Sequence, residues 1–346
     1  MRPAGLQLDY VSADEIALRS PDWWRTVLGV VGFEKPPSLE QCGSVPITAS
    51  MTPSLNLIDN LCEVWRVSGD EDTDLAAASL PQGRIHFRYC GDLLFGSLTV
   101  DEAVADGEPG AVLLQATAAA YREIFEVLEH TQHRHLLRVW NYLPEINREA
   151  DGDERYRLFN TARRTAFRTS GRTIVGTVPA ASALGSPAGS PISIYFIASR
   201  QRPTMIENPR QVSAYRYPPK FGVHSPIFSR ACLVSGSPGT NFFVSGTASI
   251  VGCESIHCGD VTAQTQEALA NIAALLDEVN RVAGDAQYSL DALKFKVYVR
   301  RPADLEAIQR TLGAALRPST SIVYLNADVC REDLLVEIEA TGESAH

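Results

Sequence analysis

The stretch from Val329 to Ala340, VCREDLLVEIEA, holds the residues best suited to chemistry. Side chains of an extended strand alternate between faces, so Leu334, Val336 and Ile338 share one face and Leu335, Glu337 and Glu339 the other. A carboxylate in mid-strand is costly unless its face meets water, a cation or a substrate. Glu337 is the stronger candidate, because Glu339 lies nearer the fraying end. Two solvated glutamates on an open sheet face are the plain alternative. A second candidate is Arg163. From Asp153 to Phe167 the spacing puts Tyr156, Phe159, Arg163 and Ala166 on one side of a helix, so this guanidinium rides a mostly apolar face, either snorkelling or aimed at an anion. The basic, aromatic stretch from Arg202 to Arg230, with five prolines, is either a linker or a binding loop; its aromatic content favours the loop. His130, His133 and His135 have metal-ligand types. No Cys or carboxylate cluster nearby completes a tetrahedral set, so an exposed polar helix end is the preferred reading.

The elements that must position these groups need a sizeable fold. At 346 residues the chain is long enough for two domains or one large one, and its 45% hydrophobic content supplies full cores. A net charge of -10 argues against a sequence-independent grip on nucleic acid or an anionic membrane, so any anionic ligand must be held by local cations. Seven cysteines, at 42, 62, 90, 232, 253, 258 and 330, form no CxxC pair and are odd in number. With no basic segment and apolar core at the start, this reads as a reduced cytoplasmic protein without a signal peptide. No apolar run approaches the ~20 residues of a membrane span.

Residues 1–60 are hard to place and are expected to hold short strands and loops. Leu61 to Val67 and Gly83 to Cys90 alternate as strands. Pro109 opens a helix through about Glu129, with Leu114, Tyr121, Ile124 and Leu128 on one face. The strand Leu136 to Leu143 follows, then the Arg163 helix. Val178 to Pro191 reads as a flexible Ala/Gly/Ser/Pro segment before a strand at Ile192 to Ala198. Strands at Ala231 to Val234 and Asn241 to Ser245 are joined by the turn SGSPGT, with Gly246 where a backbone must bend or approach something closely. Asp260 caps a helix ending at Gly284, LKFKVYVRR is a strand, Pro302 opens a further helix, and Ile322 to Leu325 and Leu334 to Ala340 finish the sheet.

Strand, strand, long helix, strand, helix, strand thus occurs twice. RVWNYLPEI from Arg138 lies on KVYVRRPAD from Lys296 without a gap, matching Arg138 to Lys296 and Pro144 to Pro302. A pseudo-symmetric molecule follows, with a cleft where the two sheets or their edges meet.

SPIFSRACLVSG, SGTASIVG, LKFKVYVRR and VEIEA resemble the RidA/YjgF family. The chain from about 138 to 340 is more specifically similar to chorismatases, through RVWNYLPEIN, IENPRQVSAYRYP, FSRA, SGTASI, HCGDVTAQ, KVYVRR and REDLLVEIEA. This resemblance implies an α+β fold of two RidA/YjgF-like, chorismate-mutase-like domains of β-sheet plus helix in a pseudo-symmetric arrangement. Residues 1–200 form the divergent N-terminal domain, 201–230 the connecting and binding loop, and 231–346 the C-terminal domain. It also implies cleavage of chorismate to pyruvate and a ring product, with no cofactor and no metal, in a monomer or a RidA-like trimer. Chorismate is a dianion, so at least two cations are needed; Arg138, Arg163, Arg230 and Lys296 are the candidates, with Tyr217 beside them. Glu337, at the position of the family's acid, would protonate the enolpyruvyl methylene, which requires a pKa above the usual ~4.3.

Two positions bear on the product. The hydrolytic branch, which yields a dihydroxycyclohexadiene carboxylate, has Ala where this chain has Gly246 and Ala where it has Cys330. Gly with Cys resembles the branch that forms 3-hydroxybenzoate, in which the substrate's own 4-hydroxyl displaces the enolpyruvyl group. A bend at 246 and a small buried residue at 330 are the plain alternatives. The chain departs from the family after its YP pair, reading Phe221-Gly222-Val223-His224 where Tyr-Gly-Pro-Arg is common. An imine or enamine deaminase and a non-catalytic binding protein are the rival functions.

Overall fold

The computed structural model describes residues 5–38, 43–56, 60–68, 75–79, 84–102, 107–236, 239–283 and 288–343. Cys42, the turn residues 237 and 238 and the helix stop at Gly284 lie outside these. The N-terminal residues build a sheet of their own. Strand β1 (Gly5–Ser12) is followed by two short helices, α1 (Ala13–Ala17) and α2 (Pro21–Trp24), each capped by a serine hydroxyl, Ser12 and Ser20. Strands β2 (Val27–Gly32), β3 (Ile47–Ala49) and β4 (Leu61–Ser68) complete the order β1-β4-β2-β3.

The second sheet contains β5 (Leu75–Ser79), β6 (His86–Cys90), β7 (Leu93–Val100), β8 (His135–Pro144), β11 (Ala180–Ser186) and β12 (Ile192–Ser199). Helix α3 (Pro109–Thr131), opened by its proline, precedes β8. A small hairpin, β9 (Glu149–Ala150) with β10 (Asp153–Glu154), and helix α4 (Arg155–Thr169) lie between β8 and β11. The third sheet contains β13 (Thr204–Ile206), β14 (Ala231–Gly236), β15 (Gly239–Thr247), β18 (Leu293–Val299), β19 (Ile322–Asn326) and β20 (Val336–Glu343). Between them run the hairpin β16 (Ile250–Val251) with β17 (Glu254–Ser255), helix α5 (Val261–Ala283), whose Asp260 accepts from the Ala263 amide at 3.0 Å, and helix α6 (Leu305–Ala315).

The strand orders β5-β6-β7-β12-β8-β11 and β13-β14-β15-β20-β18-β19 are the same order, and in each the last pair is parallel. The internal repeat is therefore a repeat of topology. Trp140, the counterpart of Tyr298 in the gapless overlay, lies opposite Tyr195, whereas Tyr298 lies opposite Glu337. Helices α3 and α4 cover one face of the second sheet, and α5 and α6 one face of the third. The opposite faces meet in a shared core with the first sheet, where Leu8 and Trp65 pack with Trp140, Tyr195, Phe243 and Tyr298.

Several expectations need correction. The Ala/Gly/Ser/Pro segment after 178 is strand β11, parallel to β8. As the edge strand of the second sheet it meets β15 of the third through Ala181 and Ser182, where small side chains allow the close approach. Residues 201–230 carry a short strand, β13, and two 3₁₀ turns, Ala214–Arg216 and Pro219–Phe221. The closing strand starts at Val336 and reaches Glu343, which puts Glu339 in its middle rather than at a fraying end. His133 is fully buried against the Gly91 carbonyl, and burial pushes its pKa down to about 4, so it is no part of an exposed helix end.

Candidate active site

Glu337 and Glu339 point to the same side of β20, and both are buried, at 4% and 5% exposure. The open-face alternative is thereby excluded. Their environments divide them. Burial opposes the charge of Glu339, but Lys296, Arg138, the Trp140 indole and the Ser182 hydroxyl outweigh it and hold its pKa below the ordinary value. Glu337 has no such set. Burial, and then the Glu339 charge, push it up to about 8. Among the described residues no hydrogen bond or ion pair reaches its carboxyl. Glu339 thus keeps the charge and Glu337 keeps the proton, the division of labour needed for a carboxylic acid that donates at neutral pH.

The partners of Glu339 come from β8 and β11 of the second sheet and from β18 of its own. Its Oε2 takes Arg138 Nη2 at 2.6 Å and the Ser182 hydroxyl at 2.7 Å; its Oε1 takes Trp140 Nε1 at 2.6 Å and Lys296 Nζ at 3.0 Å. Lys296 also pairs with Glu63 of β4, whose Oε1 accepts from Trp65 Nε1 at 2.5 Å. Desolvation works against the Lys296 ammonium, yet Glu339 and Glu63 raise its pKa well above the ordinary value. Two cations and two carboxylates therefore neutralise one another in the dry centre. Arg138 and Lys296, expected to hold substrate, are absent from the lining of the cavity beside Glu337 and are paired instead with Glu339 and Glu63, remote in sequence.

Glu337 faces a cavity of about 490 Å³ whose wall includes Gly246, Cys330, Tyr217, Arg230 and Tyr156. A smaller space of about 40 Å³ shares Glu337, Gly246 and Cys330 with it and adds Arg163, Asn141 and Ser182. Arg163 is 2% exposed; its Nη1 donates to the Ile227 carbonyl, while Nε and Nη2 have no partner. Arg230 gives its Nη2 to the Val212 carbonyl at 2.7 Å and to the Tyr217 hydroxyl at 2.8 Å, and its Nε is likewise unpartnered. Buried guanidinium N–H groups left unpaired are costly, and an anionic ligand removes that cost. Sequence reasoning thus brought Arg163, Arg230, Tyr217, Gly246, Cys330 and Glu337 to one place.

Gly246 leaves no room for a side chain. A Cβ there would stand 1.8 Å from Glu337 Oε1 and 2.9 Å from the Ser182 hydroxyl. The ladder between β15 and β20 breaks between Val244 and Thr247, which is what pushes this backbone toward the acid. Cys330 sits in the loop before β20, and Arg300 fastens that loop. The Arg300 side chain donates to the carbonyls of Val329, Arg331 and Leu334 at 2.7–2.9 Å and reaches Asn147 across the cleft at 3.1 Å. Burial and the nearby Glu337 push the Cys330 pKa up to about 12, so it is a neutral thiol. His224 does not line the cavity; Arg331 does, stacked 4.0 Å from the Phe221 ring centroid. Arg331, Ser182 and Glu63 escaped the sequence reading. Arg331 alone left a signal, inside REDLLVEIEA.

Comparison with known proteins agrees with this geometry. The N-terminal model of the FkbO/Hyg5-like chorismatases matches residues 63–198. A 3-hydroxybenzoate synthase of Streptomyces hygroscopicus is 43% identical over 331 residues, covering 92% of each chain. The chain belongs to the chorismatase family. A chorismatase of Streptomyces rapamycinicus is 34% identical, covering 95% of this chain and 96% of its own. The crystal structure of a chorismatase superposes with a TM-score of 0.86 at 28% identity, over 99% of both chains. The family is thus shared from the first sheet to the last strand, including the N-terminal hundred residues whose motifs are weakest.

Proposed function

We propose that this chorismatase cleaves chorismate to pyruvate and 3-hydroxybenzoate. The observation that carries the reading is a buried Glu337, its pKa pushed up to about 8, beside a glycine and facing a cavity with two unsaturated guanidinium groups. Arg163 and Arg230 bind the two carboxylates, and the Tyr217 hydroxyl, accepting from Arg230, orients the second. Glu337 delivers its proton to the enolpyruvyl methylene and becomes a carboxylate. The 4-hydroxyl then attacks the neighbouring ring carbon, the ether C–O bond breaks and pyruvate leaves. The hydroxyl's proton passes to the Glu337 carboxylate, which restores the acid, and the arene oxide that remains opens to 3-hydroxybenzoate with no net uptake of water. An attack within one bound molecule gains from proximity wherever the pose permits it. The absence of a methyl at 246 permits that pose, and the neutral Cys330 thiol lies beside it to steer the opening.

The 43% identity to a 3-hydroxybenzoate synthase supports the same branch. The hydrolytic product, 3,4-dihydroxycyclohexa-1,5-diene carboxylate, is the alternative. Turnover in isotopically heavy water, with chromatography and mass analysis of the ring product, separates the two. Expected are pyruvate and mainly 3-hydroxybenzoate with its hydroxyl oxygen unlabelled. Heavy oxygen on that hydroxyl, or the diol as sole product, overturns the proposal. A cytoplasmic location and a monomer accompany it. Among the described residues no helix is long and apolar enough to cross a membrane, and one chain already encloses a buried centre with three sheets. A RidA-like trimer is the other assembly, and light scattering on the purified protein decides between them.

A further inference from the structure

The bulge at Ser245 and Gly246 has lost its ladder partners on β20, and β11 of the other half replaces them. The Ala181 amide donates to the Ser245 hydroxyl at 2.9 Å, which donates to the Ser229 carbonyl at 2.6 Å. The Gly246 amide donates to the Ser182 hydroxyl at 3.0 Å. Ser182 is 3% exposed, and every hydrogen-bonding position of its oxygen is filled: it accepts from Gly246 and from Arg138 Nη2 at 2.5 Å, and donates to Glu339 Oε2 at 2.7 Å. This one oxygen joins the backbone that abuts the acid to the charged pair at the centre.

We propose that Ser182 is a positioning residue for the reaction: its hydroxyl holds the Gly246 backbone against Glu337 and fixes the Glu339 carboxylate, setting both the pose of the ring and the site of the proton. Without it the part-buried Gly246 amide is unpaired, the bulge relaxes, and Glu339 loses a donor that stabilises its charge. Less firmly charged, Glu339 competes for the proton that Glu337 holds.

The inference rests on the proposed chorismate reaction, so parent, Ser182→Ala and Ser182→Thr are compared for kcat, KM, product ratio and pH profile. A parent that releases no pyruvate refutes the reaction itself and is thereby distinguished from failure of this inference. The expected result for Ser182→Ala is a kcat lowered about tenfold or more with KM within about threefold, consistent with an acid displaced by a fraction of an ångström. The diol share rises and the alkaline limb of the kcat profile moves to lower pH. Ser182→Thr, which keeps the hydroxyl, restores the product ratio and the limb. A Ser182→Ala enzyme with parental kcat, ratio and limb overturns the proposal. So does one that loses kcat while ratio and limb stay fixed, since a merely structural role predicts that. If Ser182→Ala does not fold, Ser182→Cys, which fills the volume but hydrogen-bonds weakly, is judged by the same readouts.

Discussion

Replacing Glu337 by Gln tests the acid in two independent ways. A carboxyl that titrates at about 8 is roughly nine-tenths protonated at pH 7, so the parent carries its donor at neutral pH. Gln has nearly the same shape and no acidic proton. Removal of a positioned general acid costs ~10²–10⁴ in rate, so kcat measured by coupled pyruvate detection should fall by at least about a hundredfold, with chorismate affinity within a few-fold. The parent rate should be flat below pH 8 and fall about tenfold per unit above it, and this limb should vanish in the variant. Stability supplies the second readout. The folded pKa of Glu337 lies above the ordinary 4.5, so the stability this proton provides is complete below about 4.5 and is lost as pH rises through about 8. Gln never ionises and escapes that loss. Thermal melts at pH 9 should therefore show the variant more stable than the parent, with the gap closing toward pH 4.5. Near-parental turnover, or a slow variant that keeps the alkaline limb, would refute the assignment of the proton to Glu337.

Further outcomes follow from the same geometry. Arg163→Ala and Arg230→Ala should each raise KM about tenfold or more, and Lys at either position should fail to restore it, since a point charge lacks the paired N–H groups; parental KM in both would move the anion site elsewhere. In Gly246→Ala the added Cβ, 1.8 Å from Glu337 Oε1, must displace that carboxyl by more than an ångström, so turnover should drop roughly ten- to a hundredfold and the diol share rise, as read by chromatography. Lys296→Met leaves Glu63 without its cation and Glu339 with Arg138 as its remaining one, and should cost about 3–5 kcal/mol in a denaturant titration. Adding Glu63→Gln should recover part of that loss, whereas strictly additive losses would mean that the two do not interact.

The two orders of legibility in this chain have a physical origin. Glu337, Arg163 and Gly246 were readable because each breaks a local rule: a charge inside an apolar strand, a cation on an apolar helix face, a glycine at the end of a strand. Ser182 breaks none. AASALGS looks like a loop because its environment selects small residues, and nothing local reveals that two sheets close on it. Arg138 and Lys296 give no sign of their partners, for the converse reason. They are as anomalous as Arg163, but their counter-ions are 201 and 43 residues away for Glu339, and Glu63, though inside the strand read from Leu61 to Val67, belongs to a different sheet. A sequence displays a buried charge more readily than it displays that charge's partner. The repeat, by contrast, was legible because topology leaves the same strand-helix spacing in both halves.

That repeat also fixes how many molecules one chain can turn over at once. The overlay that equates Trp140 with Tyr298 sets Tyr195 where the C-terminal half has Glu337. Tyr195 is fully buried, stacked 4.5 Å from Trp140, and its hydroxyl accepts from Lys296 at 3.0 Å, so the space an acid and a ring would need in the first half is filled. One copy of the unit kept a reaction chamber and the other became its wall and the keystone of its charge balance. Calorimetric titration with a non-reacting dianion should accordingly saturate at one molecule per chain, not two.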